Sequence, residues 1–194
     1  FPYPPTRGDK IRSFNMVKYL KEQNHDVVVA SLSRSDQETE ECQGIKEYCQ
    51  EFILCQINET VQKIRMVSRL LSSDPSSMGY FYSNELQNQV NQLLNDHNFD
   101  LIMVFSSSAA QYVDHVRDIP KMLDFCDMDS QKWLAYVKYK KWPISMGYLL
   151  EGIKLQREEK RLAKKFDLCT CATDFEVETL ESYKTGVATG YFPN

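Results

Sequence analysis

"IPKMLDFCDMDSQKW", residues 119–133, changes character halfway along. Up to Phe125 it is an apolar run of strand length. From Asp127 it is an acidic corner, and beyond Ser130 it has the composition of a helix start. A strand ending in a polar corner and running into a helix is the repeating unit of a parallel α/β sheet. The same change occurs on both sides. "FDLIMVFSSSAAQYV" (99–113) is a strand that ends in a serine corner and a helix. "FDLCTCATDFEVETL" (166–180) is a strand that ends at Thr173, with Glu176 three residues on, the spacing of a capping box.

Further out, "DVVVASLS" (26–33) and "EFILCQI" (51–57) are short apolar runs of the kind buried in parallel sheets. Ile11, Phe14, Val17, Tyr19 and Leu20 recur mainly at helical spacing between Asp9 and Gln23. "SDQETEECQGIKEYCQ" (35–50) predicts a polar helix opened by Ser35 or Asp36. Helical stretches follow near 59–72 and 83–97, parted by "SSDPSSMGYFY", which is read as a turn carrying aromatics. The expected fold class is α/β: a Rossmann-like, largely parallel sheet with helices on both faces. Strands are expected near 26–32, 52–57, 100–105, 120–126 and 167–172. In such sheets ligands bind beyond the carboxyl ends of the strands.

The 194 residues suit one domain with a sizeable core, and 42% hydrophobic with 26% charged residues is a globular balance. A net charge of −4 gives no electrostatic footprint for nucleic acid. No apolar run is long enough for a transmembrane helix, and no basic segment followed by an apolar one marks a signal peptide. The six cysteines form no C-x-x-C pair. Cys55, Cys126, Cys169 and Cys171 lie in or beside apolar runs, which reads as free buried thiols of a cytoplasmic protein. His25, His97 and His115 are far apart, and His25 and His97 are read as helix-end or turn residues.

"FPYPPTRGDKIRSF" (1–14) looks like a corner between a strand and a first helix, and a strand is expected ahead of Phe1. Taken together, "FPYPPTRGDKIRSF", "VFSSSAAQYV" (104–113), "LDFCDMDSQKW" (123–133) and "TGVATGYFPN" (185–194) resemble the N-terminal half of the sugar transferases associated with the exosortase/PEP-CTERM exopolysaccharide system. These are GT-B glycosyltransferases of the family 4-like type. Four motifs in the expected order, spread over the whole chain, are far more specific than any one alone.

The resemblance implies a cytoplasmic hexosyltransferase, of a type that usually retains anomeric configuration. Its N-terminal half would bind a saccharide or lipid-linked saccharide acceptor. A C-terminal domain beyond Asn194 would bind the nucleotide-sugar, and no metal or other cofactor would be needed. By itself the chain would then transfer no sugar. The alternative is a non-catalytic Rossmann-like module that holds a small polar ligand.

For each motif a structural reading stands beside the functional one. Gly8, Asp9 and Arg12 would face the donor across the cleft, or simply start a helix. Ser106 and Ser107, with Gln111 beyond them, would bind sugar hydroxyls, while Ser107 or Ser108 also fits a helix N-cap. Among the aspartates, Asp127 is expected to carry the acceptor chemistry as base or orienting group. Asp124 shares strand parity with Cys126 and reads as inward and structural. Asp129 or Ser130 is expected to cap the next helix, and Asp129 and Lys132 to contact substrate. Trp133 would stack on sugar or pack in the core. Finally, 138–165 is locally basic and aromatic. It would contact the inner membrane face peripherally, or form a solvated helix with Glu158–Arg161 and Glu159–Lys160 pairs.

Overall fold

The structure, a computed structural model, describes residues 1–191. Six strands and nine α-helices alternate through them. They run α1 (Gly8–Glu22), β1 (Val28–Ser33), α2 (Asp36–Glu41), β2 (Glu51–Gln56), α3 (Glu59–Ser68), α4 (Ser76–Tyr80), α5 (Asn84–Asp96), β3 (Ile102–Phe105), α6 (Ser107–Ala110), β4 (Lys121–Asp124), α7 (Asp129–Tyr136), α8 (Ile144–Ala163), β5 (Leu168–Cys171), α9 (Asp174–Ser182) and β6 (Ala188–Tyr191). All pairings are parallel. The fold is α/β and Rossmann-like, as the alternation of apolar runs and helices requires.

Two sheets are present where one was expected: β1–β2, and β3–β4–β5–β6 in that order. The chain correspondingly divides into two units, Phe1–Val61 with Ser83–Asn98, and Gln62–Tyr82 with the chain from Phe99 on. In the first, Phe14, Val17, Ile45 and Cys49 form a core that Tyr3, Val29, Tyr48 and Phe52 extend. Tyr3 meets the Phe14 ring edge-on at 5.7 Å, so the proline-rich start is packed against α1.

In the second unit Leu123, Phe125, Leu155, Leu162, Cys169 and Leu180 are buried. Helix α8 organises it. Gly152 lets α7 approach, since a Cβ there would lie 2.8 Å from Leu134 Cγ. From the same helix two buried carboxylates cap other helices. Glu151 accepts the N–H groups of Ser76 and Ser77 at 3.0 and 2.8 Å, at the start of α4. Glu159 accepts the Ser130 N–H at 2.8 Å and the Ser130 hydroxyl at 2.6 Å, in the first turn of α7. The Tyr183 hydroxyl, just past α9, donates to Glu159 at 2.8 Å.

These bonds correct two expectations. Glu159 does not pair on the surface with Lys160, because it is fully buried and fills its lone pairs with uncharged donors. Neither Asp129 nor Ser130 is the N-cap of α7. Met128 holds that position without a side-chain bond, and Glu159 satisfies the first turn from outside. The Glu158–Arg161 pair does form, and Arg161 and Lys165 share Asp114 at 2.7 and 2.9 Å.

Strand bounds shift for local reasons. β4 stops at Asp124, two residues early, because Cys126 takes a left-handed φ of 61°. The "SSDPSSMGYFY" turn contains α4, which Glu151 caps. The polar helix from Ser35 is α2, with the Ser35 hydroxyl accepting the Glu38 N–H. It relaxes into a 3-10 turn over Cys42–Glu47. All six cysteines are free, and all but Cys126 are buried.

Burial, which outweighs its three donors, raises the Glu159 carboxyl above its ordinary 4.5. The folded chain then holds that proton more tightly than the unfolded one. Its stabilising contribution is complete below pH 4.5 and is lost as pH rises through the raised value. Thermal unfolding between about pH 4 and pH 7 is therefore expected to move in favour of Glu159→Gln relative to wild type. Glu159→Ala strands the Ser130 and Tyr183 donors and is expected to cost about 2–4 kcal/mol at neutral pH, a Tm drop of roughly 5–15 °C.

Candidate functional site

Three strand-to-helix corners meet at the carboxyl ends of β3, β4 and β5, all within the second unit. They are tied by backbone bonds. The Ser106 N–H donates to the Asp124 carbonyl at 2.8 Å, and the Phe125 N–H to Thr170 at 2.9 Å. The Ala172 N–H donates to Cys126 at 3.0 Å. Two of the corners carry a residue in the left-handed region, Ser106 at φ 75° and Cys126 at φ 61°. Neither is a glycine, and such conformations concentrate where a chain must present groups to a ligand. No sequence signal marked either one.

Asp124 is buried, and its Oδ1 accepts the Cys126 N–H at 3.0 Å, so the inward reading of this residue holds. It braces the turn that sends Asp127 outward. The Asp127 side chain is 51% exposed and accepts a hydrogen bond from the Lys132 ammonium. The same ammonium lies 3.9 Å from Asp129 Oδ1. Asp129 is 38% exposed, and the buried Ser107 hydroxyl donates to it. Glu176 closes the group. Its Oε1 accepts the Met128 N–H at 3.2 Å and its Oε2 accepts the Thr173 hydroxyl at 2.9 Å. The Thr173 hydroxyl accepts the Glu176 N–H at 3.3 Å. Half of the expected capping box thus forms, and the carboxylate crosses to the neighbouring corner.

The charges are unequal. Three carboxylates surround one ammonium, so the corner favours hydroxyl and amide donors over anions. Burial raises the Asp129 carboxyl. Lys132 and the Ser107 hydroxyl pull it down, while Asp127 and Glu176 push it up. For Lys132, burial favours the neutral amine, but the Asp127 bond and the charges of Asp127, Asp129 and Glu176 hold its pKa above the usual range. Among the described residues no three His, Cys, Asp or Glu side chains are grouped to hold a metal ion.

The other expected residues lie elsewhere or are engaged. Ser106 is the N-cap of α6, displacing Ser107 and Ser108 from that role. It caps without a side-chain bond, its hydroxyl lying 3.0 Å from that of Ser108. Gln111 donates to the carbonyls of Met78 and Ser108 at 3.1 and 2.6 Å and so joins α6 to α4. Trp133 is half-buried and packs on the half-buried Tyr148 at 4.9 Å between ring centroids. Gly8 opens α1 in the first unit, and Arg12 is only 3% exposed there, so its guanidinium is no solvent-facing charge. The Asp9 side chain and the "FPN" end of the last motif lie outside the described residues. A cavity of about 330 Å³ in the first unit, lined by Glu51, Gln92, Asp96 and His97 among others, opens beside the amino end of β2 and holds no expected site residue.

No protein-family model matches this chain, and no curated protein does.

The arrangement fixes the sign of two titration effects. Asp127→Asn removes a repelling charge and frees Lys132, so the Asp129 carboxyl should titrate at lower pH. Lys132→Gln should move it up. Carbon-13 NMR titration of the aspartate carboxyls checks both, and an Asp129 midpoint that ignores both variants would refute the coupling.

Proposed function

We propose that this chain is the acceptor-binding domain of a GT-B-type glycosyltransferase that passes a sugar from a nucleotide-sugar to a saccharide acceptor. The observation that supports it most is the cluster of Ser107, Asp127, Asp129, Lys132 and Glu176 at the carboxyl end of a parallel sheet. Ligands of open α/β sheets bind there. The excess of carboxylates suits a neutral polyhydroxyl ligand, and the resemblance carried by "FPYPPTRGDKIRSF" and "LDFCDMDSQKW" points to the same substrate class.

In the transfer the acceptor oxygen forms a bond to the anomeric carbon while the bond from that carbon to the donor phosphate breaks. The nucleoside diphosphate leaves with the electron pair, and the acceptor proton must go to a base. From sequence this role falls to Asp127. What supports moving it to Asp129 is that burial raises this carboxyl above its ordinary range, which suits a group that must accept a proton near neutral pH, while the buried Ser107 hydroxyl fixes its place. Asp127 and Lys132 then orient the sugar, and Ser107 holds Asp129 in place.

In the enzyme joined to its donor-binding domain, Asp129→Asn is expected to lower sugar transfer by about 10²–10⁴-fold, and Asp127→Asn by roughly tenfold or less, at matched Tm. The reverse order returns the role to Asp127. Saccharide binding to the isolated chain, followed by amide chemical shifts, should perturb 106–108, 127–132 and 173–176. Saccharide binding with no transfer by the joined enzyme would favour the binding-module alternative.

A further inference from the structure

Between Asp129 and Glu151 the chain carries no acidic residue, although acids outnumber bases overall and the net charge is −4. Lys138, Lys140 and Lys141 fall in this stretch and are exposed. Between and beyond them stand Tyr139 and Trp142, each 80% exposed, and Ile144 at 60%. Leu150 continues the apolar exposure along the first half of α8. The second half differs, since Arg161, and Lys165 just past the helix, are engaged by Glu158 and Asp114. Lys154 donates to the Arg69 and Leu70 carbonyls at 3.1 and 2.9 Å. That contact ties the chain just after α3 to α8, and Leu70 there, with Ile64 and Val67 on α3, is also exposed.

We infer that this face, centred on Tyr139 and Trp142, docks the protein on an anionic lipid bilayer. Charge complementarity and side-chain type both point to that occupant. Tyr and Trp place an apolar ring and a polar edge at once, which suits the headgroup boundary. Lysines reach phosphates while their stems lie along apolar surface. The face is confined to the acid-free stretch, which ends in the first half of α8, since Arg161 and Lys165 further on already have carboxylate partners. The inference stands on exposure and charge alone and does not depend on glycosyl transfer.

The probe is a vesicle suspension in which about a third of the lipid is phosphatidylglycerol and the rest phosphatidylcholine. The chain is made as Trp133→Phe, so that Trp142 is the one indole. Its emission is expected to shift to the blue on adding these vesicles, with much less change on pure phosphatidylcholine or at high salt. Replacing Lys138, Lys140 and Lys141 by Gln should weaken co-sedimentation on the order of a hundredfold. Tyr139→Ala with Trp142→Ala should abolish it, while Tyr19→Ala, an exposed ring on α1, should leave it unchanged. Circular dichroism and Tm verify that each variant folds. Absence of binding overturns the inference, as does binding that survives both sets of substitutions. So does self-association that depends on Trp142 without vesicle binding, which would make the face a protein interface.

Discussion

The second unit depends on one buried carboxylate. Glu159 sits at the middle of three elements, and its hydrogen-bond partners among the described residues are all uncharged: the Ser130 amide, the Ser130 hydroxyl and the Tyr183 phenol. A buried acid on such terms is costly in isolation, and its hydrogen bonds are what make it tolerable. In return it fixes where α7 begins. Because α7 begins there, Asp129 and Lys132 stand one turn apart at the mouth of the β4 corner, close enough for the contacts that set the Asp129 titration. The phenol feels the same burial, which together with the nearby Glu159 charge pushes it above its ordinary range. The geometry of the corner is thus inherited from a contact made entirely in the interior.

The corners themselves are less comfortable. Ser106 and Cys126 hold left-handed backbone without being glycines, and backbone bonds crossing between β3, β4 and β5 keep them there. Strain of this sort, of order 1–3 kcal/mol at each residue, persists only where surrounding structure over-determines it. Here that structure is a parallel sheet whose carboxyl edge is cross-tied by the Glu176 side chain, with Asp124 bracing the β4 corner from within.

Much of this was legible in the amino-acid order. The buried strands announce themselves as apolar runs, and the change from Phe125 to Asp127 marks the end of one. Asp124 is inward as expected, though not through parity with Cys126, which lies past the strand end and is only half-buried. Other features gave weaker signals. β6, with the sequence Ala-Thr-Gly-Tyr, has neither alternation nor an apolar run and is held by pairing to β5. Glu159, in a lysine-rich stretch, looks like a solvated residue. Its face was available, since Glu151, Leu155, Glu159 and Leu162 fall on one side of a helix, but a charge on an apolar side invites the wrong exposure. The division into two sheets could not be read, because strand composition does not say which strands pair. Cys126 shows the same limit, since nothing about a cysteine foretells a left-handed turn.

Glu151 and Glu159 are eight residues apart on one straight element, about 12 Å along its axis. Each fixes the start of another helix, so α8 works as a ruler between α4 and α7. A ruler tolerates changes of material but not of length. One residue inserted between the two carboxylates would rotate one cap by about 100° from the other, and neither helix could then keep both its anchor and its packing. Loops such as 184–187 have no such gauge to keep. Over evolutionary time, gains and losses of residues should gather in those loops and stay out of the eight positions that α8 measures off.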